Sequence, residues 1–531
     1  MRRFAALLER LAFTPARNGK LRLLADYLRD TPDPDRGWAL AALTGGLDVA
    51  SVKPALLRDV TTARVDAELF ALSHDFVGDL AETIALIWPT RGSADAPRLA
   101  TVVDTLHAAS RREAPQVVER LLDRLDPPAR FALLKLVTGG LRVGVSARLA
   151  KQALADLGGR DVADIEEVWH GLAPPYAALF AWLTAAGPRP APASDAPFRP
   201  VMLSHPLGAE DLARLDPADF AAEWKWDGIR VQAAAGNGRR RLYSRTGDDI
   251  TAAFPDLVEA LAFDGAIDGE LLVRAGHGGV ASFSDLQQRL NRKSVTPAQM
   301  RRFPAFLRAY DLLALDGRDL RPLPFTERRA ALEALAPGLD PARIDLSPLL
   351  PFATRDDLAR LRDTPPEPVI EGLMLKRRDS PYLAGRPKGP WWKWKRDPRL
   401  VDAVLMYAQR GHGKRSGFYS DFTFGVWAAD DTLVPVGKAY FGFTDAELAE
   451  IDRWVRHNTT DRFGPVRAVR ADPDHGLVFE VAFEGLARST RHRSGLAMRF
   501  PRISRLRRDK PPREADRIET LEAMLPPGTE D

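Results

Sequence analysis

Between Ala185 and Val201 the chain reads AAGPRPAPASDAPFRPV, and the spacing of apolar residues changes across this stretch. Before it, segments such as FALLKLVTGGLRVGVSARLAKQALADL repeat apolar residues at helical intervals on both sides of a Gly139–Gly140 break. After it, apolar and polar residues alternate, as half-buried strands require. The five prolines in between, set among small residues, favour a semi-extended linker. A single core does not accommodate both periods, so the 531 residues are expected to form several domains.

The expected order is an all-α domain over 1–186, the linker over 187–197, an α+β block over 198–398, a β-barrel over 399–515, and a frayed helix and tail over 516–531. The first block carries no cluster of acids, bases or nucleophiles, which suits binding rather than chemistry. In the second, FAAEWKWDGIRVQAAA and RRRLYSR read as strands joined by GNG, a hairpin signal. Helical stretches such as TERRAALEALA are interspersed, so a mixed, largely antiparallel block is expected. The third alternates aromatic and β-branched runs with glycine turns, as in FYSDFTFGVWA and LVFEVAFEGL.

Composition narrows the chemistry. The chain has no cysteine, which excludes disulfides, thiolate catalysis and a cysteine zinc site. Its nine histidines form no HxH or HxxxH group, so a metal here is expected to be a hard cation held by carboxylates and phosphate, namely Mg²⁺. A net charge of +4 is weak support for nucleic acid by itself. The run of bases Arg488, Arg491, Arg493, Arg499, Arg502, Arg505, Arg507, Arg508, Lys510 and Arg513 is stronger, although a charge run is commonly a solvated face. No apolar stretch is long enough to span a bilayer, and Glu9 and Arg10 interrupt what would be a signal sequence. A cytoplasmic protein is expected, nucleoid-associated if bacterial.

Chemistry concentrates in EWKWDGIR, Glu223–Arg230. On a strand, Glu223, Lys225 and Asp227 face one way and the two indoles the other. A lysine attacks only when unprotonated, and flanking carboxylates raise its pKa. Cations must therefore approach from elsewhere. EGLMLKR supplies Lys376, and WWKWK supplies Lys393 and Lys395 on one face, with Trp392 and Trp394 on the other. Arg230 and Arg245 extend the set, while Glu270 and Glu371 are candidate Mg²⁺ carboxylates. Such a group suits lysine attack on a polyphosphate, with pyrophosphate leaving.

KWDGIR resembles the nucleotidyl-lysine motif of the covalent nucleotidyltransferases: DNA ligases, RNA ligases and mRNA capping enzymes. A lone KxDG match is weak. Here it is followed in order by SRTG (Ser244–Gly247), DGE (Asp268–Glu270), AYDLLALDG (Ala309–Gly317), EGLMLK (Glu371–Lys376), WWKWK (Trp391–Lys395) and RRDK (Arg507–Lys510). GGLRVGVS (Gly139–Ser146) resembles part of the helical DNA-binding domain of ATP-dependent DNA ligases, and FEVAFEGLARSTRHRSGLAMRFPRISRLRRDKPP resembles the end of their OB domain. The likeness covers nearly the whole chain.

That resemblance implies a multidomain fold: an all-α N-terminal domain, an α+β nucleotidyltransferase domain of ATP-grasp-like adenylation type, and a β-barrel OB-fold domain. It implies that Lys225 is adenylylated by ATP and that Glu223 reads the adenine amino group. Tyr310 falls where the family more often stacks phenylalanine on adenine. Arg230, Arg245 and Glu270 would hold the ribose and the nicked strand end, and Glu270 and Glu371 the Mg²⁺, which Mn²⁺ would replace. Lys393 and Lys395 would bind the α-phosphate, with Arg386 in GRPKGP a weaker match. Arg507 and Lys510 would orient pyrophosphate, and Asp227 would position the lysine. The expected activity is a monomeric ATP-dependent DNA ligase acting on nicked duplex DNA, in repair. Alternatives are an RNA ligase or capping-type enzyme, which Glu223 and the helical block oppose, and an inactive nucleic-acid clamp, which the intact motif series opposes.

Overall fold

The computed structural model describes all residues except 50, 91–94, 191–195, 277, 291, 293, 412–416, 491 and 526–531. GHGKRSG (Gly411–Gly417), Arg491, the middle of the proline-rich stretch and the end of the chain therefore lie wholly or partly outside the described residues. The chain divides into two compact units, one of 1–157, 173–177 and 398–531, the other of 158–172 and 178–397.

In the first unit, the N-terminal segment is helical from Arg2–Phe13 through Ala147–Gly158. Local chemistry sets the ends. Asp66, Asp79 and Asp126 cap helix N-termini, and Gly45, Gly78 and Gly139 close helices in the left-handed conformation. The helix Pro127–Thr138 stops at Gly139 (φ 67°), the break legible in the sequence. It packs against Arg2–Phe13 and Leu80–Ile87, burying Leu133 and Leu134. Buried Arg130 donates to the Leu122 and Thr90 carbonyls, which satisfies its guanidinium without a carboxylate.

The C-terminal part of that unit is a β-barrel. The long strand Arg399–Arg410 pairs with Tyr419–Trp427 on one side and with Val478–Phe483 and Val466–Val469 on the other. Leu433–Ala439 continues one side and Arg502–Leu506 the other. The Ile503 N–H donates to the Phe441 carbonyl at 3.1 Å, which brings the two ends of the sheet together. Phe422, Phe424, Phe479 and Val481 fill the interior. The helix Asp445–His457, started by a Thr444–Glu447 capping box, closes the barrel with Leu448, Ile451 and Val455.

The second unit holds two sheets. The first has strand order His205–Pro206, Trp391–Lys395, Ile370–Arg377, Phe220–Trp226, Leu349–Leu350. The second runs Arg239–Ser244, Ile229–Gly236, Gly265–Val273, Ala305–Leu315, Arg318–Asp319, with Ile344–Leu346 parallel to Ala305–Leu315. Most pairs are antiparallel, as expected. FAAEWKWDGIRVQAAA is not one strand, however. It is two strands in different sheets, split at Asp227–Gly228. Gly228 is required there, since a Cβ would stand 2.5 Å from the Leu271 carbonyl oxygen and 2.8 Å from Glu270 Cγ. The GNG turn does form the hairpin, with Asn237 and Gly238 at positive φ.

The proline-rich stretch differs from a free spacer at its C-terminal end. Ala196 and Phe198 are buried in the core between the two sheets, with Met202, Tyr243 and Trp391. Phe198 also packs edge-on against His170, and Glu167 pairs with Arg321 at 3.0 Å. The segment 158–172 thereby belongs to the two-sheet unit, although its sequence is helical like the residues before it.

Candidate active site

Strand alternation builds the site. In the first sheet Phe220, Ala222, Leu373, Leu375 and Trp392 pack in a core behind it, joined by Trp224 and Trp394. The opposite face therefore carries Glu223 and Lys225, then Gly372, Met374 and Lys376, then Trp391, Lys393 and Lys395. Lys225 stands opposite Gly372, which stands opposite Lys395. Gly372 (φ 146°) permits this approach, since a Cβ would lie 2.2 Å from the Trp394 carbonyl oxygen. The register shift between Ile370 and Gly372 brings Glu371 to the lysine face.

Lys225 Nζ donates to Glu371 Oε2 at 2.6 Å, and Lys395 Nζ lies 3.3 Å from the same oxygen. Burial pulls the Lys225 pKa down, but Glu371 and then Glu270 outweigh it and hold the pKa above its ordinary value. Nearby carboxylates thus keep the lysine protonated before substrate arrives. Lys393 goes the other way. Burial lowers its pKa, helped by the positive charges of Arg386, Lys225, Lys395 and Arg245. Arg245 is similarly depressed by burial, Arg230 and Arg386. Those couplings bring exposed Arg245 and Arg386 into the same cationic group. Glu270, pushed up to about 8 mainly by burial, is opposed by Lys225 and Arg230 and raised further by Glu371.

One sequence expectation is corrected. Lys376 is not a cation beside Glu371 but pairs with Glu223 at 2.9 Å, both side chains buried, and donates to the Tyr310 carbonyl at 3.1 Å. Its ammonium also sits over the rings of Tyr310 and Trp391 at 4.4 and 4.6 Å. Arg230 is held by protein partners. It makes a forked ion pair with Asp268 at 3.1 and 2.6 Å and donates to the Met202 carbonyl. Asp268 also accepts from Tyr382 Oη at 2.6 Å and from Tyr310 Oη at 3.2 Å. Asp268 and Trp391 stand in the DGE and WWKWK motifs with no role of their own expected, and Tyr382 lies in no motif. Asp268 stands two residues from Glu270 on one strand, so its face was readable. Tyr382 carries no such signal.

Asp227 donates its backbone N–H to the Val369 carbonyl at 2.8 Å, fixing the crossing between sheets. In the other unit, Arg507 and Lys510 both reach Asp402 Oδ2, at 2.6 and 2.8 Å. The basic run around them is substantially paired: Arg505 with Glu480, Arg508 with Glu450 and Arg513 with Asp474. Its acids come from distant sequence, so the run is less of an uncompensated patch than it reads.

Comparisons with known proteins follow this geometry. Residues 201–395 match the profile of the ATP dependent DNA ligase domain, 415–510 that of the ATP dependent DNA ligase C terminal region, and 1–155 that of the DNA ligase N terminus. A "Probable DNA ligase" of Koribacter versatilis is 32% identical, covering 99% of this chain and 96% of the relative. One of the same name from Streptomyces avermitilis is 33% identical, covering 99% and 98%. Among solved structures, "Pmar-Lig_PreS3" aligns with a TM-score of 0.61 at 15% identity, covering 95% of this chain and 99% of that one, a likeness of fold.

Proposed function

Because the chain belongs to the ATP-dependent DNA ligase family, we propose that Lys225 is the residue through which it seals nicks in duplex DNA, acting in repair. The carrying observation is the Lys225–Glu371–Lys395 group at the crossing of two sheets, on the sheet face that also carries Glu223. Glu223 Oε1 is buried without a hydrogen-bond partner, and the Tyr310 ring lies next to Lys376, Glu223's own partner. An unsatisfied buried acceptor beside an aromatic face fits a base bearing an amino group.

In the first step Lys225 Nζ, having lost its proton, attacks the α-phosphorus of ATP. The bond to the β-phosphate oxygen breaks and pyrophosphate leaves. Lys393 and Lys395 neutralise charge on the α-phosphate, an anion that offsets the burial and neighbouring cations holding the Lys393 pKa down. Next, an oxygen of the 5′-phosphate at the nick attacks the same phosphorus and Lys225 departs. Finally the 3′-hydroxyl attacks the 5′-phosphate, forming the phosphodiester and releasing AMP.

The carboxylates fit a Mg²⁺ ion only in part. Among the described residues no cluster of three or more metal-ligating side chains forms, so Glu270 and Glu371 would leave the remaining positions to water and phosphate. An ion held there would supply positive charge at the phosphate. Glu371, engaged with it, would favour the Lys225 ammonium less.

Arg507 and Lys510 are assigned to the outgoing pyrophosphate, and the helical segment and barrel to DNA phosphates, with affinity that falls as salt rises. Among the described residues no helix is long and apolar enough to cross a membrane. The test is sealing of a nicked duplex by the purified chain with Mg²⁺ and ATP, GTP or NAD⁺. Sealing with ATP alone is expected. Labelling from GTP without sealing would move the protein to the capping class, and no reaction with any nucleotide would leave a clamp.

A further inference from the structure

Ser347 is fully buried, and its hydroxyl has no hydrogen-bond partner. Its surroundings follow from register. Ile344–Leu346 runs parallel to the preceding sheet strand, with Arg308 opposite Asp345 and Ala309 opposite Leu346. The Ser347 N–H donates to the Ala309 carbonyl at 2.8 Å, which carries the pairing one residue further and sets Ser347 level with Tyr310. Ile344 and Leu346 pack with Leu307 and Ala309 into the core on one face. Asp345 and Ser347 therefore share the other face with Arg308 and Tyr310, and the Arg308–Asp345 ion pair at 2.8 Å lies on that face.

Arg329 ties this position to Glu223. Its Nη1 donates to the Ser347 carbonyl at 2.9 Å and lies 3.5 Å from Glu223 Oε1. Ser347 Oγ and Glu223 Oε1, both buried without a hydrogen-bond partner, thus belong to two residues that one guanidinium joins, and Ser347 is level with Tyr310 in the sheet. A buried hydroxyl and a buried carboxylate oxygen without hydrogen bonds are each unfavourable in the free protein. Together the two residues offer a donor and an acceptor.

We propose that Ser347 is a base-recognition residue for a 6-aminopurine nucleotide, its hydroxyl donating to N1 while Glu223 Oε1 accepts from the 6-amino group. The assignment rests on the ligase reading above. It explains why a hydroxyl, which can donate, stands where an apolar side chain would pack at lower cost. Guanine would set its O6 acceptor against the Glu223 carboxylate.

The test uses full-length protein, the unreactive α,β-methylene analogue of ATP and its 1-deaza counterpart, with Ser347→Ala beside wild type. Ser347→Ala is expected to weaken binding of the ATP analogue about tenfold. It should raise by a similar factor the ATP concentration at which the single-turnover adenylylation rate is half-maximal. The melting temperature of nucleotide-free protein should stay the same or rise, since an unsatisfied buried hydroxyl is gone. Wild type and Ser347→Ala should bind the 1-deaza analogue alike. Equal weakening toward both analogues, or toward neither, would overturn the proposal. A wild-type chain that takes no AMP from ATP would overturn the ligase reading beneath it.

Discussion

Two Lys–Glu pairs project from the same sheet face and differ in what surrounds them. Lys225–Glu371 is partly open, with side chains 22% and 18% exposed, whereas Lys376–Glu223 is closed at 1% and 2%. In the open pair, carboxylates outweigh burial and the lysine pKa rises. In the closed pair, burial dominates both partners: Lys376 is lowered despite Glu223, and Glu223 is raised despite Lys376. The same two residue types thus form an exchangeable pair that a ligand can re-partner and a fixed pair that holds a pocket wall. Exposure decides between them, because desolvation makes a buried ion pair costly to break and an open one cheap to rearrange.

Substitutions at the two lysines should break the symmetry most sharply. Lys225→Ala is expected to abolish protein–AMP formation with little change in melting temperature. Lys225→Arg should be equally inactive, because a guanidinium does not deprotonate near neutral pH. Labelling from α-labelled ATP and a thermal melt together read both effects. Retained labelling in either variant would remove Lys225 as nucleophile.

Glu371→Gln should lower the adenylylation rate by roughly 10²-fold by weakening metal support. In metal-free protein it should also move the titration of the Lys225 ammonium, read by NMR, to lower pH, since Glu371 is what raises the Lys225 pKa. A titration that stays put or moves up would contradict the pairing.

Lys376→Met acts on the closed pair and should reverse the pattern. It leaves the buried Glu223 carboxylate without its cation, at a cost of about 3–5 kcal/mol of stability. Adding Glu223→Gln should recover part of that loss in denaturant unfolding. If the double variant is no more stable than Lys376→Met, the pair is not coupled.

The smallest effect concerns Glu270. Its folded pKa of about 8 lies above the ordinary value of 4.5, so the folded state keeps a proton that the unfolded chain has lost between those values. The associated stability is complete below pH 4.5 and declines as pH rises toward about 8. Glu270→Gln should flatten that part of the melting-temperature profile. Mg²⁺ binding to wild type should release up to about one proton below pH 8. An unchanged profile in the variant would show that Glu270 is not the group responsible.

Local pattern made much of this legible. Alternation placed Lys393 and Lys395 opposite Trp392 and Trp394, and the glycine pair at 139–140 marked a helix end. Motif order brought Lys225, Glu371 and the WWKWK strand into one group before any coordinates. What stayed hidden depends on pairing between distant strands. Nothing in KWDGIR says that the chain changes sheets at Asp227–Gly228, because a crossing and a continuous strand have the same alternation. Lys376 is five residues from Glu371, yet its partner is Glu223, 153 positions away, set by the antiparallel register of two strands. Ser347 and Tyr382 sit in segments with no motif at all. Their burial and hydrogen bonding are set by strands distant in sequence, which local pattern does not carry.

The most direct measurement maps the AMP itself. Wild-type protein is incubated with ATP and Mg²⁺ without DNA, digested under conditions that preserve the phosphoramidate, and its modified peptide sequenced by mass spectrometry. A single AMP on Lys225, discharged when nicked duplex is added before digestion, is the predicted result. AMP on Lys376, Lys393 or Lys395, or an adduct that nicked DNA cannot discharge, would contradict the account.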